Sequence, residues 1–222
     1  KEFLALRDYT GPYYQCMNGY LRQKDFQSPV IEAYIHYVEM ALKKLPSYQG
    51  FVARGATLNS KIRDLHQLGK IIVNDGFTST STAGGFSGTD NFLIYSKNAK
   101  MVMSISQLEM EYEALYPPGA KFEILEKISL GDYYFYIMAE VVDGKPISAE
   151  EKKKILNEAS KFKYSSLEKI EGAYAESGDR EYDYWECSSD KKLPKTVKQL
   201  QVPLMIIPNP DTIRPEDLPR DP

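Results

Sequence analysis

Residues 76–81 read Gly-Phe-Thr-Ser-Thr-Ser, and the chain is best understood outward from them. Side chains alternate across a strand, so Ser79 and Ser81 fall on one face and Thr80 on the other. Judged alone, the stretch also fits a plain edge strand. Upstream, Asp75-Gly76 makes a turn after the apolar run Ile71–Val73. Downstream, Ala83-Gly-Gly-Phe-Ser-Gly-Thr-Asp90 carries three glycines, which remove any preference for helix or strand, so a loop is expected there. Further apolar runs predict strands over 48–53, 91–95, 111–116, 121–126 and 134–142. Pro117-Pro118-Gly119 stops one of them, and Gly131-Asp132 turns between the last two.

Helices flank this strand-rich middle. Thr10, with Pro12 in the first turn, predicts a helix start, and Tyr13, Met17, Tyr20 and Leu21 fall on one face. Asn18 and Arg22, four apart, are neighbours on that helix. Ser28-Pro29 opens a second helix, with Ile31, Tyr34, Ile35, Val38, Leu42 and Leu45 as its buried stripe and Pro46 beyond its end. A short helix is expected over 60–68, closed by Gly69. After Gly144, the capping-box patterns Ser148…Glu151 and Ser165…Glu168 predict two more. Residues 201–222 hold six of the 13 prolines and read as an extended tail. Helices first, then strands without regular alternation, predict the α+β class. The expected division is a core over 1–145 and a helical, Pro-rich extension over 146–222, packed on or beside it.

Composition narrows the function. With 222 residues, 28 Lys+Arg against 31 Asp+Glu gives a net charge of −3, which argues against nucleic-acid binding by phosphate neutralisation. No apolar run approaches the roughly 20 residues of a membrane helix, so no membrane span is expected, and no secretory signal is read at Lys1. Two cysteines, Cys16 and Cys187, are too few for a disulfide framework. Two histidines, His36 and His66, without cysteine clusters, predict no metal site and supply no His-based triad. Catalysis would therefore fall to carboxylates, Arg and Ser.

Three features could carry such chemistry. Arg54 leaves a strand beside Gly55, where a forked guanidinium can meet a phosphate while the backbone stays close. Ser79 lies in the hydroxyl strand. Glu111 and Glu113 in Glu109-Met-Glu-Tyr-Glu113 are two apart, so in a strand both carboxylates point the same way and one pKa rises. Glu109 extends the row only if the strand begins early.

In this order, Phe51-Val-Ala-Arg-Gly55, Gly76-Phe-Thr-Ser-Thr-Ser81 and Glu111-Tyr-Glu-Ala-Leu-Tyr-Pro-Pro-Gly119, preceded by Tyr9-Thr-Gly and Asn18-Gly-Tyr-Leu-Arg22, resemble the mono-ADP-ribosyltransferases of the Arg-Ser-Glu class, which include bacterial toxins and effectors. The match runs from about residue 4 to 145. It implies N-terminal helices packed on two small sheets that enclose an NAD cleft; the helices expected after 145 are additional to it. It also implies a site in which Arg54 and Gly55 bind the pyrophosphate, with Asn18 and Arg22 adding contacts and Phe86 stacking on the nicotinamide. Glu113 would bind the ribose and stabilise developing positive charge, oriented by Ser79, while Glu111 would activate the acceptor. Glu rather than Gln at 111 implies arginine as acceptor. Tyr95 and Leu108 are imperfect substitutes for the exposed aromatic that such enzymes use to grip a protein target.

The resemblance implies an enzyme that transfers ADP-ribose from NAD to arginine on a host or competitor protein, secreted or delivered into a target cell, with NAD hydrolysis as a side reaction. The alternatives are an NAD glycohydrolase or a catalytically dead module that keeps the fold.

Overall fold

The computed structural model describes residues 1–23, 28–84, 88–107 and 111–174. The chain begins with α1 (Glu2–Asp8), a single π-helical turn (Tyr9–Tyr13) and α2 (Tyr14–Gln23). The expected helix start at Thr10 is therefore displaced to the N-terminus. Thr10 caps nothing: its hydroxyl donates back to the Arg7 carbonyl at 2.8 Å and accepts the Gln107 N–H at 3.0 Å. The irregularity sits at Gly11-Pro12, where Gly11 leaves helical dihedrals at φ −101°, ψ −149°. Helix α3 (Pro29–Lys44) starts as predicted, with Ser28 Oγ accepting the Ile31 N–H, and buries Ile35, Val38, Ala41 and Leu42. Against them pack Leu6, Tyr9, Met17 and Phe77, forming one apolar cluster beneath the first three helices.

Seven strands follow, with α4 (Ser60–Leu65) between the first two: β1 (Ser47–Ala56), β2 (Ile71–Asn74), β3 (Thr78–Ser81), β4 (Asp90–Met101), β5 (Glu113–Tyr116), β6 (Ala120–Leu130) and β7 (Tyr133–Glu140). Helix α4 is a turn shorter than expected and is capped by Asn59. The two expected sheets are two arms of one hydrogen-bonded sheet in the order β1-β3-β5-β4-β7-β6-β2, and β1 also pairs with β4 along most of its length. The first four strands thus close on themselves, and β4 belongs to both arms. All neighbours run antiparallel except β4 and β7.

Strand β4 is twice its expected length. Its second half, Ser96-Lys-Asn-Ala-Lys100, reads as polar, yet it is held by Glu140, whose carboxylate accepts the N–H groups of Lys97 (2.6 Å) and Asn98 (2.8 Å). The buried carboxylate supplies acceptors that no periodicity could announce. Strand β5 is shorter than expected. Tyr112 has φ +48°, a left-handed conformation rare for a bulky residue, which ends the extended run and leaves Glu111 outside the strand.

Helix α5 (Ala149–Tyr174) starts at the predicted Ser148 cap and then runs on without a break, so Ser165 opens no second helix. A capping box needs a preceding non-helical residue, and here the helix is already formed. Ile155 and Ala159 close a cluster with Leu125, Ile137, Ala139 and Val141, and Phe51 and Tyr95 lie against its edge. Two ion pairs fasten the helix: Lys97–Glu151 at 2.8 Å, and Lys152 with the buried Glu123. The proline-rich tail at 201–222 and Cys187 lie outside the described residues.

Candidate active site

Strands β1, β3 and β5 bring together three of the predicted residues. Arg54 sits near the end of β1, and its Nη1 donates to the Ser79 carbonyl at 2.7 Å. Ser79, on β3, donates its hydroxyl to Glu113 Oε1 at 2.5 Å. Glu113 opens β5 opposite Ser81, so the register of that pair sets the carboxylate beside the Ser79 hydroxyl. Residues 59 apart in sequence thus share one site because β3 is paired on both sides.

Glu113 is 3% exposed. Burial pushes its carboxyl up to about 7, against the Ser79 hydroxyl bond, which lowers it; the nearby Glu111 charge raises it further and Arg54 opposes. A carboxylate whose affinity for a proton is raised toward neutrality by desolvation, with a hydroxyl aimed at it, is the arrangement expected of a working acid or base. Glu111 is raised by burial alone. It is near Glu113, but the left-handed Tyr112 breaks the strand alternation, so the two carboxylates do not share a strand face as predicted. The backbone between them is tied down all the same: the Tyr112 carbonyl accepts both the N–H and the hydroxyl of Thr82.

Arg54 and Arg22 lie close enough for their like charges to interact. Burial first, and then the Arg22 charge, lower the Arg54 pKa below its ordinary value, with Tyr9, Tyr14 and Glu113 opposing. The like charges of half-buried Arg54 and exposed Arg22 repel, and an anionic ligand would relieve that cost. The site therefore suits a pyrophosphate. Arg22 also lies against Gly76: a Cβ there would come within 3.1 Å of its Nε and 2.7 Å of Asn18 Oδ1, so only glycine fits without displacing them.

Asn18 makes two internal hydrogen bonds. Its Oδ1 accepts the Phe77 N–H at 2.8 Å and its amide donates to the Tyr9 hydroxyl at 3.2 Å. Asn18 thereby pins α2 to the start of β3, and Arg22 lies beside it. Gly55 is buried beside Arg54. Tyr95, half-buried, packs edge-on to Phe51 at 5.3 Å against the cluster beneath α5. Phe86, Leu108 and Glu109 lie outside the described residues.

Sequence reasoning missed two contributors. Tyr9 is fully buried against Phe77, and its hydroxyl feels Glu113, Arg54 and Arg22; burial, helped by Glu113, raises its pKa. Its place in Tyr9-Thr-Gly was the only signal. Asp90 opens β4 with its carboxylate sealed from solvent, and nothing distinguished it from a loop aspartate. The 520 Å³ cleft lined by Glu39, Lys43, Lys100, Tyr116 and Gly144 lies at the other end of β5 and takes in none of these residues. Among the described residues, no group of His, Cys, Asp and Glu could hold a metal ion, and no helix is long and apolar enough to cross a membrane.

The buried Glu113 carboxylate, the Ser79 hydroxyl bonded to it and the neighbouring guanidiniums of Arg54 and Arg22 could together hold an anionic substrate and stabilise a growing positive charge. The profile of the ADP-ribosyltransferase exoenzymes matches residues 1–164, and the chain belongs to that family. It is 34% identical over 119 residues to Tre1 of Serratia proteamaculans, named an NAD(+)–protein-arginine ADP-ribosyltransferase; the match covers 54% of this chain and 27% of Tre1. The chain thus spans about a quarter of that relative's length. Among solved structures, the type III effector XopAI of Xanthomonas axonopodis pv. citri superposes with a TM-score of 0.58 at 21% identity, over 64% of this chain and 66% of that one. The ADP-ribosyltransferase Vis of Vibrio splendidus does so with 0.58 at 23% identity, over 66% and 75%. These two likenesses establish the fold, with its α+β helices and mixed sheet.

Proposed function

We propose that the protein is a mono-ADP-ribosyltransferase that splits NAD at the nicotinamide–ribose bond and transfers ADP-ribose to an arginine of a target protein. One observation carries the reading: Glu113 is buried, raised toward neutrality and held by the Ser79 hydroxyl, in the same site as two guanidiniums whose charges interact. The residues present fit NAD as substrate. Arg54 and Arg22 supply the positive charge for its pyrophosphate. Glu113, ionised, would hydrogen-bond the ribose and stabilise the positive charge that grows as the glycosidic bond lengthens, as carboxylates do in glycoside hydrolysis. Ser79 keeps that carboxylate in one orientation.

Glu111 would receive the incoming guanidinium and take its proton. A guanidinium is always charged, so a carboxylate at the acceptor position is physically apt. The name of Tre1 supports arginine as acceptor. The role that goes with this reading is that of a bacterial toxin or effector delivered into a target cell, host or competitor. Water can take the place of arginine, giving NAD glycohydrolysis at the same site.

Labelled NAD incubated with the protein and a cell lysate tests the proposal. Label in protein, traced to arginine by mass spectrometry, supports it. Free nicotinamide alone would make the protein a glycohydrolase, and neither signal would make it a binding module.

A further inference from the structure

The end of β1 that carries Arg54 is held by residues other than Ser79, Glu111 and Glu113. Arg54, Gly55 and Ala56 pair with Phe92, Asn91 and Asp90 at the start of β4. Asp90 is the knot. Its Oδ1 accepts Arg63 Nε at 2.8 Å and the Tyr136 hydroxyl at 3.3 Å. Its Oδ2 accepts Arg63 Nη2 at 2.7 Å, the Leu58 N–H at 3.0 Å and the Thr89 hydroxyl at 2.9 Å. Five donors on one carboxylate tie four segments together: the stretch after β1, helix α4, the start of β4 and strand β7.

Arg63 adds a second layer. The same Nη2 reaches the Leu58 carbonyl at 2.9 Å, and the guanidinium lies 4.4 Å over the Tyr134 ring. Burial works to raise the Asp90 carboxyl, yet the bonds from Arg63, Leu58 and Thr89 hold it below its ordinary value. The approach is close elsewhere too. A Cβ on Gly88 would stand 2.3 Å from the Ala56 carbonyl oxygen, so this backbone rests directly on the end of β1. None of the atoms that bond the Asp90 carboxylate belongs to Arg54, Ser79, Glu111 or Glu113.

We propose that Arg63 and Asp90 are a positioning pair for the NAD site: they fix the Arg54 end of β1 against β4, and so set how Arg54 meets the pyrophosphate. The role rests on the NAD-splitting reading above. A bidentate guanidinium contact depends on geometry, and a displacement of an ångström at a positioned group is enough to cost it. Glu113 and Ser79 sit on β5 and β3, whose mutual pairing does not pass through Asp90. Disturbing the pair should therefore weaken NAD binding more than it slows turnover.

The test uses the full chain, unsubstituted and as Arg63→Lys and Asp90→Asn, with steady-state nicotinamide release and direct titration with NAD. Arg63→Lys keeps the charge and loses the fork and the ring contact. The expected result is a rise of about 10-fold in both the KM and the Kd for NAD in Arg63→Lys, with kcat changed by no more than about twofold. A brace with no part in positioning would instead lower the melting temperature and the amount of active protein while KM and Kd stay put, and that result in Arg63→Lys overturns the proposal. Should Asp90→Asn not fold, Arg63→Lys still decides. A parent chain that binds NAD without splitting it would refute the transferase reading while leaving the Kd series to judge the pair. A parent that does not bind NAD sinks both.

Discussion

Glu113 carries a cost that its chemistry explains. Its carboxyl is pushed up to about 7 in the fold against an ordinary value near 4.5, so the folded state holds this proton more tightly than the unfolded chain. Stability on its account is therefore full below about pH 4.5 and falls as pH rises through about 7, by roughly 3 kcal/mol. Glu113→Gln should remove that loss: its melting temperature should exceed the parent's at pH 8, and the gap should close near pH 5. A melt that shows no pH-dependent gap would mean that Glu113 is not raised. In the parent, kcat/KM for nicotinamide release should climb with pH through about 7, as Glu113 ionises, and Glu113→Gln should lose release by ~10²-fold or more.

The neighbouring carboxylate gives a separate outcome. Glu111 lies outside β5, the strand that pairs with Ser79's strand and carries Glu113, yet near enough for its charge to act on Glu113, which suits a group that serves the acceptor rather than the ribose. Glu111→Gln should lose arginine modification and keep a substantial part of the nicotinamide release. Equal loss of release in Glu111→Gln and Glu113→Gln would end this division of labour. Arg54→Lys should weaken NAD binding by titration with little change in melting temperature. An unchanged affinity would move the phosphate role elsewhere.

At the scale of elements, α5 belongs with the sheet more closely than its sequence suggests. Ile155 is 1% exposed among Leu125, Ile137 and Val141. Ile155→Ala should cost roughly 2–5 kcal/mol, by lost burial and the cavity left behind. The KM for NAD should stay unchanged, because the helix packs away from Arg54 and Glu113. A raised KM in folded Ile155→Ala would show that α5 reaches the cofactor site. Strand β4 is the counterpart inside the sheet. Its first residues flank Arg54 and its polar second half is bound by Glu140, so one strand joins the NAD site to the arm that supports α5.

For the whole molecule, we propose that residues 1–145 with α5 folded against them form the unit that splits NAD, and that the residues beyond 174 contribute to engaging the target protein. A chain ending at 144 should melt well below the parent or not fold, since Glu123 would lose Lys152 while staying buried and the Ile155–Ala159 cluster would open. A chain ending at 174 should fold and release nicotinamide as the full chain does. If it folds and releases none, residues beyond 174 are part of the cofactor site.

The sequence by itself determined the order of the parts. The Ser28-Pro29 and Ser148 helix starts and the hydroxyl strand at 78–81 were legible because each rests on local chemistry, a cap or an alternation, whereas Arg54, Ser79 and Glu113, which the fold brings together, were joined in the sequence only by a family resemblance. What was not legible depends on partners remote in sequence. Glu140 keeps a polar run extended; Tyr112 adopts a left-handed backbone that removes Glu111 from its strand. Asn18 and Arg22 were legible as neighbours on one helix, but only the fold shows that the Asn18 amide bonds Phe77 and Tyr9. Asp90 looked like the end of a glycine loop until five donors converged on it. Hydrogen-bond acceptors and buried charges take their meaning from what the chain brings to them, and that is decided only when β1, β3, β4 and β5 close on one another.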